Sequence, residues 1–456
     1  MSGDGGVDGR EVVERALERA GKAGATQVDA VLVASDGREA RVRGDEVEFV
    51  KQAQECCLGI RAMVGGRDGL ATAVTSTSDL SLEAVDRMAA ETVALARATA
   101  ADPHAGLPEE PFATDWPDLA LSDPGDRNVH IEARIEDARR AEQAARAHDP
   151  RIVNSEGSQA SSETSRIVYA NSRGFAGEYE SAYHSLFSEP LARAGESMQR
   201  DYWLTVARRL ADLEDAAEVG RHAAERAVRR LGARRVATAE VPVIFDALTA
   251  PSLLGQLAGC VSGYAVYREA SFLATRRGER IAAPAVTVID DGRLQGGLGS
   301  KPFDGEGLPT RRNVIVRDGV LETWLLDSYA GRKLGLASTG NAARGAGSGP
   351  GVGTTNLWLE PGDLSLEEII ARTERGLLVT ELIGMGFNPT TGDYSRGASG
   401  LWIEGGEIAY PVEEITIASN LGDMLLGIDA IGRELVWRGR TASPPVRIAR
   451  MTVAGE

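Results

Sequence analysis

Between Val241 and Asn420 the chain alternates short apolar runs with glycine-rich loops. The runs V-P-V-I-F, A-V-T-V-I-D, R-R-N-V-I-V-R, T-N-L-W-L-E, L-L-V-T-E-L-I, L-W-I-E-G-G-E-I-A-Y and I-T-I-A-S-N have the length and composition of strands. Asp318-Gly319 and Gly405-Gly406 set hairpin turns in this region, because such dipeptides tolerate the positive φ of a tight two-residue turn. So many strands joined through glycine loops direct the chain toward a large, strongly curved sheet. One helix interrupts them, over 249–262. Gly255, Gly259 and Gly263 recur there every four residues, which predicts a face able to pack closely on other backbone. Leu254, Leu257 and Val261 fall on its apolar side.

The first half reads differently. Residues 9–23 place Val12, Ala16, Leu17 and Ala20 on one helical face. Strand-like runs follow at 28–34, 38–50 and 55–64, with turns at Ser35-Asp36-Gly37 and Gly65-Gly66-Arg67-Asp68-Gly69. Helices are expected over 82–99, capped by Asp79 or Ser81, and over 131–147 and 212–231. Between Arg151 and Arg209 the alternating Ser and Thr predict strands of a sheet with one wet face. The expected class is α+β: an N-terminal helix and antiparallel-sheet domain over 1–232, then a strand-rich, barrel-like C-terminal domain over 233–456 around the glycine-striped helix.

Charge narrows the partners. The 456 residues carry 67 acidic and 50 basic side chains, a net charge of −17. Such a surface repels phosphate backbones and anionic lipid, which argues against nucleic-acid and membrane binding. The densest basic group, Arg229, Arg230, Arg234 and Arg235, brackets a helix end, where cations meet the favourable end of the dipole. Cys56, Cys57 and Cys260 form no C-x-x-C and no disulfide framework. With no apolar signal core and no apolar run of membrane-spanning length, the expected compartment is the cytoplasm.

The histidines are His104, His130, His148, His184 and His222, so the second half has none. No H-x-x-H or H-E-x-x-H spacing occurs, and a histidine-rich zinc site cannot come from the second half alone. His184, in Y-E-S-A-Y-H-S-L-F, has the most pocket-like surroundings. No G-x-S-x-G elbow is present, and Cys260 has no basic neighbour in sequence. Lys301, in G-L-G-S-K-P-F-D-G-E-G, either meets an anion or rides a mobile loop. Asp393, Tyr394 and Arg396, in N-P-T-T-G-D-Y-S-R-G-A-S-G, form either a ligand-facing loop or a polar turn whose Asp and Arg pair locally.

Several long stretches occur in a fixed order: G-Y-A-V-Y-R-E-A-S-F-L (263–273), G-G-L-G-S-K-P-F-D-G-E-G-L-P-T-R-R (296–312), L-L-D-S-Y-A-G-R-K-L-G (325–335) and S-T-G-N-A (338–342). With M-G-F-N-P-T-T-G-D-Y-S-R-G-A-S-G-L-W-I-E-G-G-E-I-A-Y-P-V-E-E-I-T-I-A-S-N-L (385–421), they make the chain resemble the TldD/PmbA family over essentially its whole length, closest to the PmbA (TldE) branch. The resemblance implies a two-part protease system. Its TldD branch carries H-E-x-x-x-H, in which both histidines bind zinc and the glutamate can activate water, with a late cysteine as a further ligand. Laid on this chain, those positions fall on Gly255, Gln256 and Cys260, and the C-terminal tail offers no cysteine. Glycine has no ligand atom, and a neutral amide cannot take a proton as a carboxylate does.

The resemblance therefore implies a non-catalytic subunit without a cofactor of its own, paired with a TldD-like partner that carries the zinc. The pair would act on unfolded or modified peptides. His184, Tyr264, Tyr267, Arg268, Lys301, Asp393, Tyr394 and Arg396 are the residues expected to meet peptide or partner. Two alternatives stay open: a homodimeric peptidase with a non-standard site drawn from His184, Cys260, Asp393 and Arg396, or a peptide-binding scaffold without a protease partner.

Overall fold

A computed structural model describes residues 8–455. The first half contains helix α1 (Gly9–Lys22), the meander β1 (Gln27–Arg43), β2 (Glu46–Gly66) and β3 (Gly69–Thr77), and α2 (Leu82–Arg97), capped by Ser81. It continues through β4 (Ala101–Asp102), α3 (Ile131–His148), β5 (Ile152–Asn171), β6 (Ala176–Ala194), β7 (Ser197–Arg200), β8 (Trp203–Ala207) and α4 (Ala216–Arg229). The eight strands make one sheet in the order β4-β3-β2-β1-β5-β6-β7, with β8 also on β6.

Side chains alternate across this sheet. On one face, α1 and α2 bury Val12, Ala16, Val85 and Val93 against Val28, Ala30, Leu32 and Ile60. Farther along the same face, Ala138, Ala141 and Val219 of α3 and α4 cover Val42, Ala160 and Leu186. The other face presents Val31 and Tyr169, which pack with Phe175, Phe303 and Ala346. Phe303 and Ala346 lie far along the chain, so this face joins the two halves.

The second half runs β9 (Ala239–Phe245), α5 (Pro251–Cys260), α6 (Gly263–Tyr267), β10 (Val288–Asp291), β11 (Arg312–Arg317), β12 (Val320–Leu321) and α7 (Ser328–Leu334). Then come β13 (Ala342–Ala343), β14 (Gly351–Val352), β15 (Asn356–Leu359), α8 (Leu366–Ala371), β16 (Arg375–Ile383), β17 (Asp393–Glu404) and β18 (Glu407–Asn420). The last elements are α9 (Leu421–Leu426), β19 (Ile428–Ile431), β20 (Thr441–Ala442) and β21 (Val446–Ala454). Strands β18, β17, β16, β9 and β21 pair in that order, and β21 pairs back onto β18. Five strands thus close a barrel, as the curved-sheet reading expected. Val243, Phe245, Leu377, Val379, Trp402, Ile417 and Val453 belong to one core, which Leu253, Leu254 and Leu257 of α5 also enter.

Two local expectations need correction. Strand β1 runs straight through Ser35-Asp36-Gly37, because Gly37 is held between Ala53 of β2 and Glu163 of β5. The chain reverses instead at Gly44, whose φ of 62° suits glycine. Asp393, Tyr394 and Arg396 are in strand β17 rather than a loop, and Tyr394 is buried in the barrel core. Three of the four arginines near α4's end have separate partners: Arg230 has Asp201 and Glu381, Arg234 lies over the Tyr410 ring, and Arg235 pairs with Glu414. Among the described residues no helix is long and apolar enough to cross a membrane.

Candidate functional site

Helix α5 starts at Pro251, whose fixed φ and missing N–H suit a first helical position. Leu253, Leu254, Leu257 and Cys260 are its buried side. Gly255 and Gly259 are exposed, and a Cβ built on either meets nothing within 4 Å. The expected close packing along a glycine stripe is therefore wrong for these two, because that face is turned to open space. It holds only for Gly263, which begins α6; a Cβ there would come within 2.6 Å of Ala330 and Leu326 side-chain atoms.

Gln256 keeps its Oε1 buried and without a hydrogen-bond partner. The Cys260 sulfur lies 4.0 Å from the Pro389 carbonyl oxygen. Burial pushes this thiol up to about 11, against a smaller opposing hydrogen bond with Ser271. A metal at this helix would need several charged or imidazole donors. The positions offer no atom at Gly255, a neutral amide at Gln256 and a thiol held protonated at Cys260. The residues present do not fit a zinc ion. Among the described residues no group of three or more His, Cys, Asp or Glu side chains is placed to hold a metal.

Directly after α5, the structure gathers three of the expected contact residues. Tyr264 and Tyr267 have ring centroids 5.5 Å apart, and Tyr329 of α7 stacks on Tyr264 at 5.8 Å. The Arg268 guanidinium lies over both Tyr264 and Tyr267. The Tyr264 hydroxyl donates to Asp327 at 3.1 Å, and that of Tyr329 to Asp102 at 2.7 Å. Burial first, and then the neighbouring carboxylate, hold both phenols above their ordinary range. The result is a half-buried aromatic patch with a cation at its rim, suited to stacking and cation–π contacts. Tyr329 was not singled out in sequence; its place in L-L-D-S-Y-A-G-R was the available signal.

Sequence reasoning also missed a set of buried carboxylates. Asp290, Asp304, Glu306 and Asp327 are each at most 2% exposed. Asp304 accepts from the amides of Glu306, Leu308 and Ala342, and Glu306 from the amide and hydroxyl of Ser328. Burial raises the pKa of all four, to about 6 at Asp290. Lys301 joins this set: its ammonium donates to the Ala342 carbonyl at 2.9 Å. The lysine is tied to that carbonyl, and against the opposing effect of burial the charges of Asp304 and Asp290 favour its ammonium. The D-G-E-G run inside the 296–312 stretch was the visible sign.

The other expected residues are carried by strands β6 and β17. His184 is on β6, with Nδ1 2.9 Å from the Ser162 hydroxyl and Nε2 3.6 Å from Asp126. Burial is the main influence and lowers its pKa, which favours neutral imidazole. Asp393 accepts from Thr391 and, at 3.5 Å, from Asn420 rather than pairing with Arg396.

Comparison with known proteins now decides the family. Residues 28–96, 124–231 and 238–455 match the descriptions PmbA/TldA metallopeptidase domain 1, central domain and C-terminal domain. The chain is 39% identical to "Metalloprotease PmbA" of Escherichia coli O157:H7 over 451 residues, covering 98% of this chain and 97% of that protein. The chain belongs to the PmbA/TldD family. A crystal structure from Bacteroides thetaiotaomicron, described as a candidate modulator of DNA gyrase, superposes with a TM-score of 0.91 at 27% identity, covering 100% of both chains. TldE from Thermococcus kodakarensis shares the fold, with a TM-score of 0.87 at 23% identity over 97% of this chain and 99% of that one. Helix α5, the tyrosine patch and the buried carboxylates all fall within the span of the PmbA/TldA C-terminal domain.

Proposed function

We propose that this PmbA/TldD-family chain is a PmbA/TldE-like, non-catalytic subunit. It works with a TldD-like zinc metalloprotease on unfolded or modified peptides in the cytoplasm. The observation that carries this reading is the chemistry of α5: two glycines facing open space, an amide, and a buried, protonated thiol. A hydrolytic metal needs donors there and a base beside its water, and this helix supplies neither.

What the subunit contributes is shaped surface beside the partner's centre. The patch of Tyr264, Tyr267, Tyr329 and Arg268 can stack on unfolded peptide irrespective of its sequence. An extended peptide can also add its backbone to a strand edge, gaining affinity without side-chain selection. A peptidase site belonging to this chain alone is the weaker reading. The Cys260 thiol is protonated at neutral pH, and the Ser162–His184–Asp126 line is built from a serine and a histidine buried in the sheet.

The test is reconstitution with a TldD-like chain and a photo-crosslinking peptide. Crosslinks at Tyr264, Tyr267 or Tyr329, with hydrolysis only in the mixture, are expected. Crosslinks confined to the partner would reject the substrate contact, and failure of the two chains to co-purify would reject the pairing.

A further inference from the structure

Helix α6 ends in a turn that fixes the direction of one cation. The Ala270 amide donates to the Ala265 carbonyl at 2.9 Å, and the Glu269 amide to the Val266 carbonyl at 3.0 Å. With Glu269 at a φ of 55°, these bonds make a Schellman ending, where glycine is the usual residue. Arg268 is the C-cap, one residue before that strained position. Its guanidinium lies 5.6 Å from the Tyr264 ring centroid and 5.4 Å from that of Tyr267. Its Nε donates to the Tyr267 hydroxyl at 3.0 Å.

Two carboxylates border the tyrosine patch, and both are committed elsewhere. Asp327 accepts from the Tyr264 hydroxyl and, at 2.7 Å, from the Ala330 amide in the first turn of α7. Asp102 accepts from the Tyr329 hydroxyl and lies 3.7 Å from the Lys333 ammonium. Among the described residues the two terminal nitrogens of Arg268 have no partner, and the Tyr267 hydroxyl proton has no acceptor. The exposed rim of the patch is thus a set of N–H and O–H donors around an unpaired positive charge. It stands out in a chain whose net charge is −17.

We propose that this rim binds a carboxylate of a peptide, beside an aromatic side chain of the same peptide that stacks on the tyrosine rings. This rests on the reading of the chain as a peptide-contacting subunit, and it gives that contact a selectivity. The planar fork of Arg268 can take both carboxylate oxygens through its terminal nitrogens, and the Tyr267 O–H adds a further donor. In an extended peptide, side chains two positions apart share a side and stand about 7 Å from one another. That spacing matches the separation of the guanidinium from the rings, so the favoured pattern is an aromatic residue and an acidic one two positions away. The overall negative charge repels a polyanion such as nucleic acid. A single carboxylate in contact is spared, because at physiological salt charges beyond about 8 Å are screened.

Fluorescence anisotropy of short labelled peptides with the isolated chain tests this. With amidated C-termini, a Phe-x-Glu peptide is expected to bind about fivefold tighter than Phe-x-Gln, the upper range for an exposed ion pair. Replacing its Phe by Ala should weaken it. Arg268→Gln should abolish the charge preference, Arg268→Glu should turn it toward Phe-x-Lys, and Tyr267→Phe should reduce it while stacking persists. A gain on freeing the C-terminus, in place of one on exchanging Gln for Glu, assigns the rim to the terminal carboxylate. Unchanged circular dichroism shows that the variants are folded. Equal affinity for all the peptides, binding of none, or a preference that survives Arg268→Gln overturns the proposal. Co-purification with a TldD-like chain is read separately. Intact pairing with no charge preference removes only the carboxylate selectivity, whereas a charge preference without pairing removes only the subunit role.

Discussion

Gly59 of β2 lies so close to Ala346 that a Cβ at Gly59 would sit 1.8 Å from the Ala346 carbonyl oxygen. This is where the first sheet presses on the loop between β13 and β14. Gly59→Ala must push two packed halves apart, and is expected to destabilise the protein by about 1–3 kcal/mol, as overpacking typically does. Denaturant unfolding checks it. An unchanged midpoint would mean that the halves meet less tightly than the structure places them.

Gly255 and Gly259 make the opposite case. Nothing stands within 4 Å of a Cβ at either, and both lie in α5. Alanine there should stabilise by about 0.5–1 kcal/mol each, through reduced backbone entropy in the unfolded chain. Gly263→Ala should instead destabilise, because it meets Ala330 and Leu326. Thermal unfolding of the three variants separates an open face from a packed one.

Asp29 is wholly buried between Arg61 and Arg344, to both of which it is hydrogen-bonded. Burial pushes its carboxyl up, but the two guanidinium groups outweigh that and hold it below its usual range. Asp29→Ala leaves two cations without their shared partner and should cost about 3–5 kcal/mol. An effect as small as that of a surface ion pair would contradict this. Arg344 reaches Asp29 from beyond β13, so the variant should also loosen the junction, read as faster amide exchange in β1 and β2.

The carboxylates at Asp290, Asp304 and Glu306 set a pH dependence of opposite sign. Their folded pKa values are raised chiefly by burial, to about 6 at Asp290. Each therefore binds its proton more tightly in the folded chain. The stability they contribute is complete below the unfolded carboxylate range, near 4, and declines as pH rises through about 6 at Asp290. Glu306→Gln should flatten this decline. Unfolding midpoints that rose between mildly acidic and neutral pH, and responded equally in the variant, would contradict the assignment.

Much of the fold was legible. The Asp318-Gly319 and Gly405-Gly406 turns and the helix expected over 82–99, found over Leu82–Arg97, are local properties, and local chemistry fixed them. Gly37 was misread because a turn signal yields when strands bind on both sides, and no single stretch reveals its neighbours. Tyr394 was misread for a similar reason: N-P-T-T-G is a turn, but pairing between β17 and β18 begins at once, at Asp393. At the candidate site, the residue types at Gly255 and Gln256 are plain in the sequence. The glycines' open surroundings are not, because spacing says which residues share a face and not what that face meets. Buried acids such as Glu306 stayed hidden because an acidic residue among glycines looks like any solvated loop until its burial is known.

The most direct test of the central claim is metal content and peptide hydrolysis measured on the purified chain, alone and mixed with a TldD-like partner. The chain alone is expected to carry no stoichiometric zinc and to cleave nothing, with activity in the mixture following the partner's metal. One zinc per chain, with hydrolysis abolished by chelation and by substitution of Gln256 or Cys260, would contradict it.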